Sequence, residues 1–299
     1  MARIIECVPN FSEGRDNDKI EKIVEEVRKV EGVKLLDYSS DKDHNRSVVT
    51  FVGEPELVLE AAFNLAKKAT ELIDMREHEG AHPRMGAVDV MPLIPISEIT
   101  VKEAVEFSHQ LAKRIGEELN MSVVLYEDSA TAPHRANLAE VRKGQYEKMK
   151  EKIQEPMWTP DYGPKELNEK AGVVAVGARM PLVAYNINLA TDNVEIAKKI
   201  ADAIRHIRGG FRYCKAMGVM INERNIAQVS MNLVNYEKTT VYRVFDMVER
   251  EAHRYGVNVI ESEIIGLVPM KALIDTAAYH LKLTDDFSMN QVLETRIWE

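Results

Sequence analysis

The chain has 299 residues, 45% of them hydrophobic and 29% charged, with a formal net charge of −9. That length accommodates one large or two modest domains with full cores, and the acidic balance excludes a nucleic-acid binder, which needs a broad basic surface. No stretch approaches the ~20 apolar residues of a membrane span, and the first eleven residues show no cationic region leading into a long apolar one, so neither anchor nor leader is expected. Two cysteines, Cys7 and Cys214, are too few for a disulfide framework and fit core positions in a reducing cytoplasm.

Residues 3–8 read as a strand, closed by the turn Asn10-Phe11-Ser12-Glu13-Gly14. Ile20, Ile23, Val24, Val27 and Val30 then recur at helical spacing, and Gly32 ends the helix. Strands are expected at 33–38 and 47–52, around the polar loop 39–45. Pro55 suits the first turn of a second helix striped by Val58, Ala62, Leu65, Ala69 and Leu72. A strand at 87–91 completes the order β-α-β-β-α-β. A further helix (101–119) and strand (123–126) follow. Residues 155–172 hold Pro156, Pro160, Gly163 and Pro164 without sustained periodicity, which predicts a linker.

Beyond that point the same order returns. Strands are expected at 183–189, 219–221, 226–234 and 257–260. Helices are striped by Ala197, Ile200, Ala201, Ile204 and by Val241, Val244, Val248, Ala252, with Thr191 or Asp192 capping the first. Two tandem split-βαβ, ferredoxin-like units follow as the fold, α/β (α+β) in class, with boundaries 1–178 and 179–299. In the second unit Asn186, Asn188, Gln228, Ser230 and Asn232 alternate with apolar residues, so one sheet face is polar, either solvated or functional.

The densest polar segment is Arg76-Glu77-His78-Glu79-Gly80-Ala81-His82-Pro83-Arg84-Met85-Gly86. His78 and His82 spell H-E-x-x-H, a zinc signature only on a helix. Gly80 weakens a helix there and Pro83 disfavours helical backbone at His82, so a loop is expected and no metal. No phosphate-cradling glycine loop or Ser-His-Asp signature is present.

Glu6-Cys7-Val8-Pro9-Asn10-Phe11-Ser12-Glu13-Gly14 resembles the opening of the glutamate formiminotransferases, including the N-terminal portion of the bifunctional formiminotransferase–cyclodeaminases. The resemblance runs through Asn45-Arg46, His82-Pro83-Arg84-Met85-Gly86, Asp161-Tyr162-Gly163-Pro164, Asn186-Ile187-Asn188-Leu189, Ala227-Gln228-Val229-Ser230 and Gly266-Leu267-Val268-Pro269, roughly the whole chain. It implies two subdomains with sheets facing each other and helices outside, a cytoplasmic homodimer, and no cyclodeaminase portion. It implies His82 as catalytic acid/base, residues 163–172 (Gly163, Pro164, Gly172) in the folate region, and Asn45, Asn186, Asn188, Gln228 and Ser230 lining the site. An acidic residue expected two positions after Asp37 is Ser39 here, with Asp41 or Asp43 as substitutes.

The implied reaction moves a formimino group from formiminoglutamate to N5 of tetrahydrofolate, a co-substrate. Formiminoglycine, a formyl donor, or folate binding without catalysis are the alternatives. Imidazole suits the proton shuttle because its ordinary pKa of ~6.5 makes both protonation states accessible near neutrality. The substrates are anions, so an acidic chain must concentrate cations locally; Arg46, Arg84 and Arg179 are the candidate carboxylate clamps.

Overall fold

The computed structural model describes residues 2–298. The chain divides into two compact units, Met1–Arg179 and Met180–Glu299. In the first, β1 (Ile4–Cys7) and β2 (Asn10–Phe11) are two pieces of one interrupted strand, split where Pro9 has no N–H to give the ladder. Both pieces pair antiparallel with β4 (Arg46–Gly53) on one side and β5 (Val88–Ser97) on the other. β3 (Lys34–Asp41) flanks β4. Beyond β5 the sheet continues in parallel through β7 (Val173–Ala178) to β6 (Ser122–Leu125).

One face of this sheet carries α1 (Asn17–Arg28), α2 (Pro55–Leu72) and α3 (Val101–Glu118). Asp16 caps α1 through the amides of Asp18 and Lys19, Pro55 opens α2, and Thr100 with Glu103 forms a capping box on α3. Their apolar stripes, including Ile23, Val27, Leu65, Ala69, Leu111 and Ile115, bury against Ile5, Cys7, Phe51, Leu93 and Val176. The opposite face is covered only in part. There α4 (Leu138–Val141), α5 (Gln145–Lys152) and their flanks bring Val141, Met149 and Ile153 onto Val90, Val124 and Ala175. Over β1 and β4, Glu6, Val48, Thr50 and Val52 remain partly exposed.

Residues 155–172 are no linker. The Asp161 amide donates to the Val123 carbonyl at 2.8 Å, its side chain pairs with Arg135 at 2.6 Å, and the segment leads straight into β7 inside the same sheet. The break falls instead between Arg179 and Met180.

The second unit is a four-stranded antiparallel sheet in the order β11 (Val259–Ile265), β8 (Val183–Leu189), β10 (Ile226–Leu233), β9 (Cys214–Ile221). Helices α6 (Val194–Ile204) and α7 (Val241–Arg254) share one face, where Ile200, Ile204, Val244 and Val248 meet Tyr185, Ile187, Val229 and Met231. Asn193, rather than Thr191 or Asp192, caps α6 by accepting from the Glu195 amide; Thr191 Oγ1 accepts from the Asn193 amide one turn earlier. α8 (Met270–Leu281) docks on α7 through stacked Tyr242 and Tyr279, and α9 (Leu293–Trp298) follows. In both units the β-α-β-β-α-β run sets its fourth strand beside the first, the first beside the third and the third beside the second. The fold is mixed α/β with two sheets. Among the described residues no helix is long and apolar enough to cross a membrane.

Candidate active site

Three loops interlock at the end of the first sheet where β5 begins. Ser12 Oγ donates to the Gly86 carbonyl at 2.8 Å and Ser47 Oγ donates to the Glu13 carbonyl at 2.6 Å. Asn45, buried at φ +47°, accepts from the Gly14 amide at 2.9 Å and donates Nδ2 to the Glu79 carbonyl at 2.9 Å. The polar loop before β4 therefore has an anchored end: Asp41 and Asp43 are exposed, while Asn45 and Arg46 turn inward. Asp41 accepts from the Asp43 and His44 amides at 2.9 and 2.8 Å, which shapes the turn. Ser39 sits on β3 opposite Val48. Residues 74–87 are turn and coil, as Gly80 and Pro83 require, so the H-E-x-x-H spacing does not place its histidines on one helical face.

His82 occupies the centre. Its Nδ1 lies 2.7 Å from the Pro83 carbonyl, which can only accept, so Nδ1 carries the proton. Nε2 then presents its lone pair, and Arg46 Nη1 donates to it at 2.7 Å. Burial, followed by the Arg46 and Arg142 charges, pushes the imidazole down to about 4; Asp89 and the Pro83 carbonyl pull the other way. These surroundings place the imidazole below its ordinary near-neutral range and favour the neutral Nδ1–H form. His78 is held likewise, donating Nε2–H to the Asn45 carbonyl at 2.9 Å, with burial lowering its pKa.

A stability consequence follows. Between pH ~6.5 and about 4 the unfolded chain binds a proton at position 82 that the folded chain refuses, so the folded state loses stability as pH falls through this window. Urea unfolding of the native protein should weaken more steeply across this window than that of His82→Gln. Parallel pH profiles would remove His82 as the cause.

The guanidinium of Arg46 donates Nη2 to Asn10 Oδ1, while its buried Nε has no acceptor. Burial lowers its pKa to about 10, opposed by Asp89 and reinforced by Arg142. Arg142, at the end of α4, donates Nη2 to Asp89 Oδ2, and its buried Nε is also without an acceptor. Asp89 is 1% exposed and takes the Met85 amide on Oδ1 at 3.0 Å. Arg142 is thus ion-paired to Asp89, and Arg46 feels the same carboxylate electrostatically. The two guanidinium groups form a local cationic cluster, built with a residue the sequence did not single out. Asp89 was visible as the lone acid in an apolar strand, whereas Arg142 had no local signal.

The other two expected clamps lie elsewhere. Arg84 is 8% exposed and bidentate to Glu147 at 2.6 and 2.9 Å, with a further bond to the His78 carbonyl at 3.1 Å. Those bonds commit it to scaffolding the loop, so it is not an available clamp. Arg179 follows the end of β7, four residues past Ala175, the neighbour of Val90, about 13 Å further along the sheet. There it offsets the burial that raises the Glu6 carboxyl.

Gly163 and Gly172 serve through their backbones. Both lie at positive φ, +81° and +74°, and a Cβ would come within 2.0 Å of the Met121 carbonyl and 2.3 Å of the Met85 carbonyl, respectively. Gly172 thereby fixes the segment between His82 and β5 against the start of β7. Pro164 accepts from Ser122 Oγ at 2.8 Å where β6 begins.

In the second unit, β8 and β10 bring Asn188 opposite Gln228 and Asn186 opposite Ser230 on the face away from the helices. Gln228 Nε2 donates to Asn188 Oδ1 at 2.9 Å and to Glu263 Oε1 at 3.0 Å, and Asn188 Nδ2 donates to Glu261 Oε1 at 3.0 Å. Asn186 Nδ2 reaches Glu263 at 3.1 Å. The polar face is real and includes two carboxylates of β11 that the reading of the strands had not reached.

Sequence comparison supplies the identity. The profile of the formiminotransferase domain, N-terminal subdomain, matches residues 4–179, and that of the formiminotransferase domain matches residues 184–297. Proteins named glutamate formimidoyltransferase from Streptococcus pyogenes serotype M1 and Thermoplasma acidophilum are 57% and 47% identical, over 99% and 98% of this chain and 99% and 97% of their own lengths. The formimidoyltransferase-cyclodeaminase of Rattus norvegicus is 41% identical over 94% of this chain, which spans 53% of that protein. These relatives define the class as a transferase. The chain belongs to the formiminotransferase family.

Proposed function

We propose that the protein transfers a formimino group from N-formimino-L-glutamate to N5 of tetrahydrofolate, giving 5-formiminotetrahydrofolate and glutamate. The observation that carries the assignment is the neutral His82, its Nε2 accepting from Arg46 in the field of Arg46 and Arg142. N5 attacks the amidine carbon and forms a tetrahedral intermediate. His82 Nε2 accepts the N5 proton, then returns a proton to the departing glutamate nitrogen as its bond to carbon breaks. Protonation makes that amine a competent leaving group. Holding both substrates together supplies much of the remaining acceleration.

Arg46 binds a donor carboxylate, assisted by Asn45, which anchors the loop. Residues 163–172 serve the folate in the first unit, the polar face of Asn186, Asn188, Gln228 and Ser230 offers hydrogen-bonding groups in the second, and each half acts as a ferredoxin-like subdomain. Two buried thiols fit a reducing cytoplasm, and the family resemblance supports a homodimer.

Mixing the protein with tetrahydrofolate and formiminoglutamate should convert the folate, and a chelator should not slow it. Absence of conversion would remove the assignment; faster conversion with formiminoglycine would reassign the donor. Arg46→Ala should raise the donor KM about 10–100-fold, the worth of a charged hydrogen bond, whereas Arg84→Ala should lower thermal stability and leave that KM near normal. The reverse pattern would exchange their roles.

A further inference from the structure

We propose that the Arg46–Arg142 pair receives a substrate carboxylate and that its occupation draws the Arg46 guanidinium off His82, so that the substrate itself releases the base. The inference rests on the formimino-transfer reading for the identity of the substrate. Arg46 Nη1 occupies the Nε2 lone pair at 2.7 Å, the atom the chemistry needs. The two arginines face a single carboxylate, Asp89, whose Oδ1 is already taken by the Met85 amide. Each carries a buried Nε–H without an acceptor among the described residues. Leaving a buried donor unmade is costly, and two such donors beside surplus positive charge describe a receptor for a small anion.

The two guanidinium groups are held differently. Arg142 is ion-paired to Asp89, whereas the terminal nitrogens of Arg46 bond neutral acceptors, Asn10 Oδ1 and His82 Nε2. A carboxylate adds Coulomb attraction and bidentate geometry that neutral acceptors do not offer a guanidinium. Arg46 is therefore the one that moves, and the imidazole is the partner it leaves.

The groups facing His82 decide the sign of the electrostatic effect. From β4 comes Arg46, from the end of α4 Arg142, from β5 Asp89, and from the turn His44, whose ring stands edge-on at 5.8 Å with Nδ1 3.0 Å from Asp41. Pro83 contributes its carbonyl. A bound carboxylate adds negative charge to this set and removes a contact cation, and both changes favour protonation of Nε2. The base gains strength only when a substrate is present to use it.

The carboxylate could belong to the amino-acid donor or to the glutamate tail of the folate, and the two are separable. Long-range proton–nitrogen NMR of labelled protein reads the His82 Nε2 shift near neutral pH and its titration below. Glutamate alone should change the Nε2 shift and move the titration from about 4 toward the ordinary ~6.5. Arg46→Gln should begin with a raised value that glutamate moves little further. A response to tetrahydrofolate alone, with none to glutamate, would keep the gate and assign it to the folate tail. Binding of both, seen by calorimetry, with an unmoved His82 would overturn the proposal, as would binding of neither. Turnover is measured separately: a shifted imidazole in a protein without formimino transfer would sink the reaction assignment and leave the gate standing.

Discussion

Replacing His82 by alanine should lower turnover about 10²–10⁴-fold, the worth of one positioned acid/base group, while tetrahydrofolate binding stays nearly intact. The imidazole is held on one side by the Pro83 carbonyl and on the other by Arg46, so its removal deletes the proton shuttle without unpinning a strand. The surrounding loops are fastened by Asn45, Ser12 and Ser47, none of which bonds the ring. Single-turnover kinetics with a parallel folate titration would check this. Turnover near the native rate would end the assignment of His82. A collapse of folate affinity equal to the loss in rate would make the residue a binding group instead.

Asp161→Ala should destabilise the first unit by about 3–5 kcal/mol, because it strands a buried guanidinium. The side chains of Arg135 and Asp161 are 7% and 9% exposed and meet at 2.6 Å. Asp161 also accepts from the Leu125 amide at 2.8 Å and Thr131 Oγ1 at 2.6 Å, while Arg135 donates to the Met157 and Thr159 carbonyls, both at 2.8 Å. One carboxylate thus ties β6 to the segments at 131–135 and 157–161. Urea denaturation would give the size of the loss, and hydrogen exchange at the Leu125 amide would show where it falls. Asp43→Ala, on an exposed turn, should change stability by less than about 0.5 kcal/mol. A loss at Asp161 no larger than that control would mean the pair is solvated in practice.

What could be read from the residues depended on whether the signal was local. The alternation of Asn186, Asn188, Gln228 and Ser230 with apolar neighbours reported β8 and β10 directly, because successive side chains of a strand point to opposite faces. The sequence pattern did not predict residues 173–178 as a strand. β7 lies between two parallel neighbours, buried on both faces, so it shows no alternation, and the prolines just before it resembled a linker. His82 was identified by resemblance, but its protonation state was not legible. That state is set first by burial and then by Arg46 from β4 and Arg142 at the end of α4, which only folding brings together. Arg84 illustrates the converse: next to the catalytic candidate in sequence, it is bound to Glu147, sixty-three residues away.

The late position of β7 in the chain constrains how the protein can be made. It is the central wire between β5, finished by Ser97, and β6, finished by Leu125, yet it is not synthesised until Ala178. Until then a nascent chain on the ribosome carries two raw margins of unmatched amides and carbonyls with apolar surfaces beside them, the condition that invites chaperones or sticking. Translation pauses before codon 178 should therefore be more hazardous to yield than pauses after it.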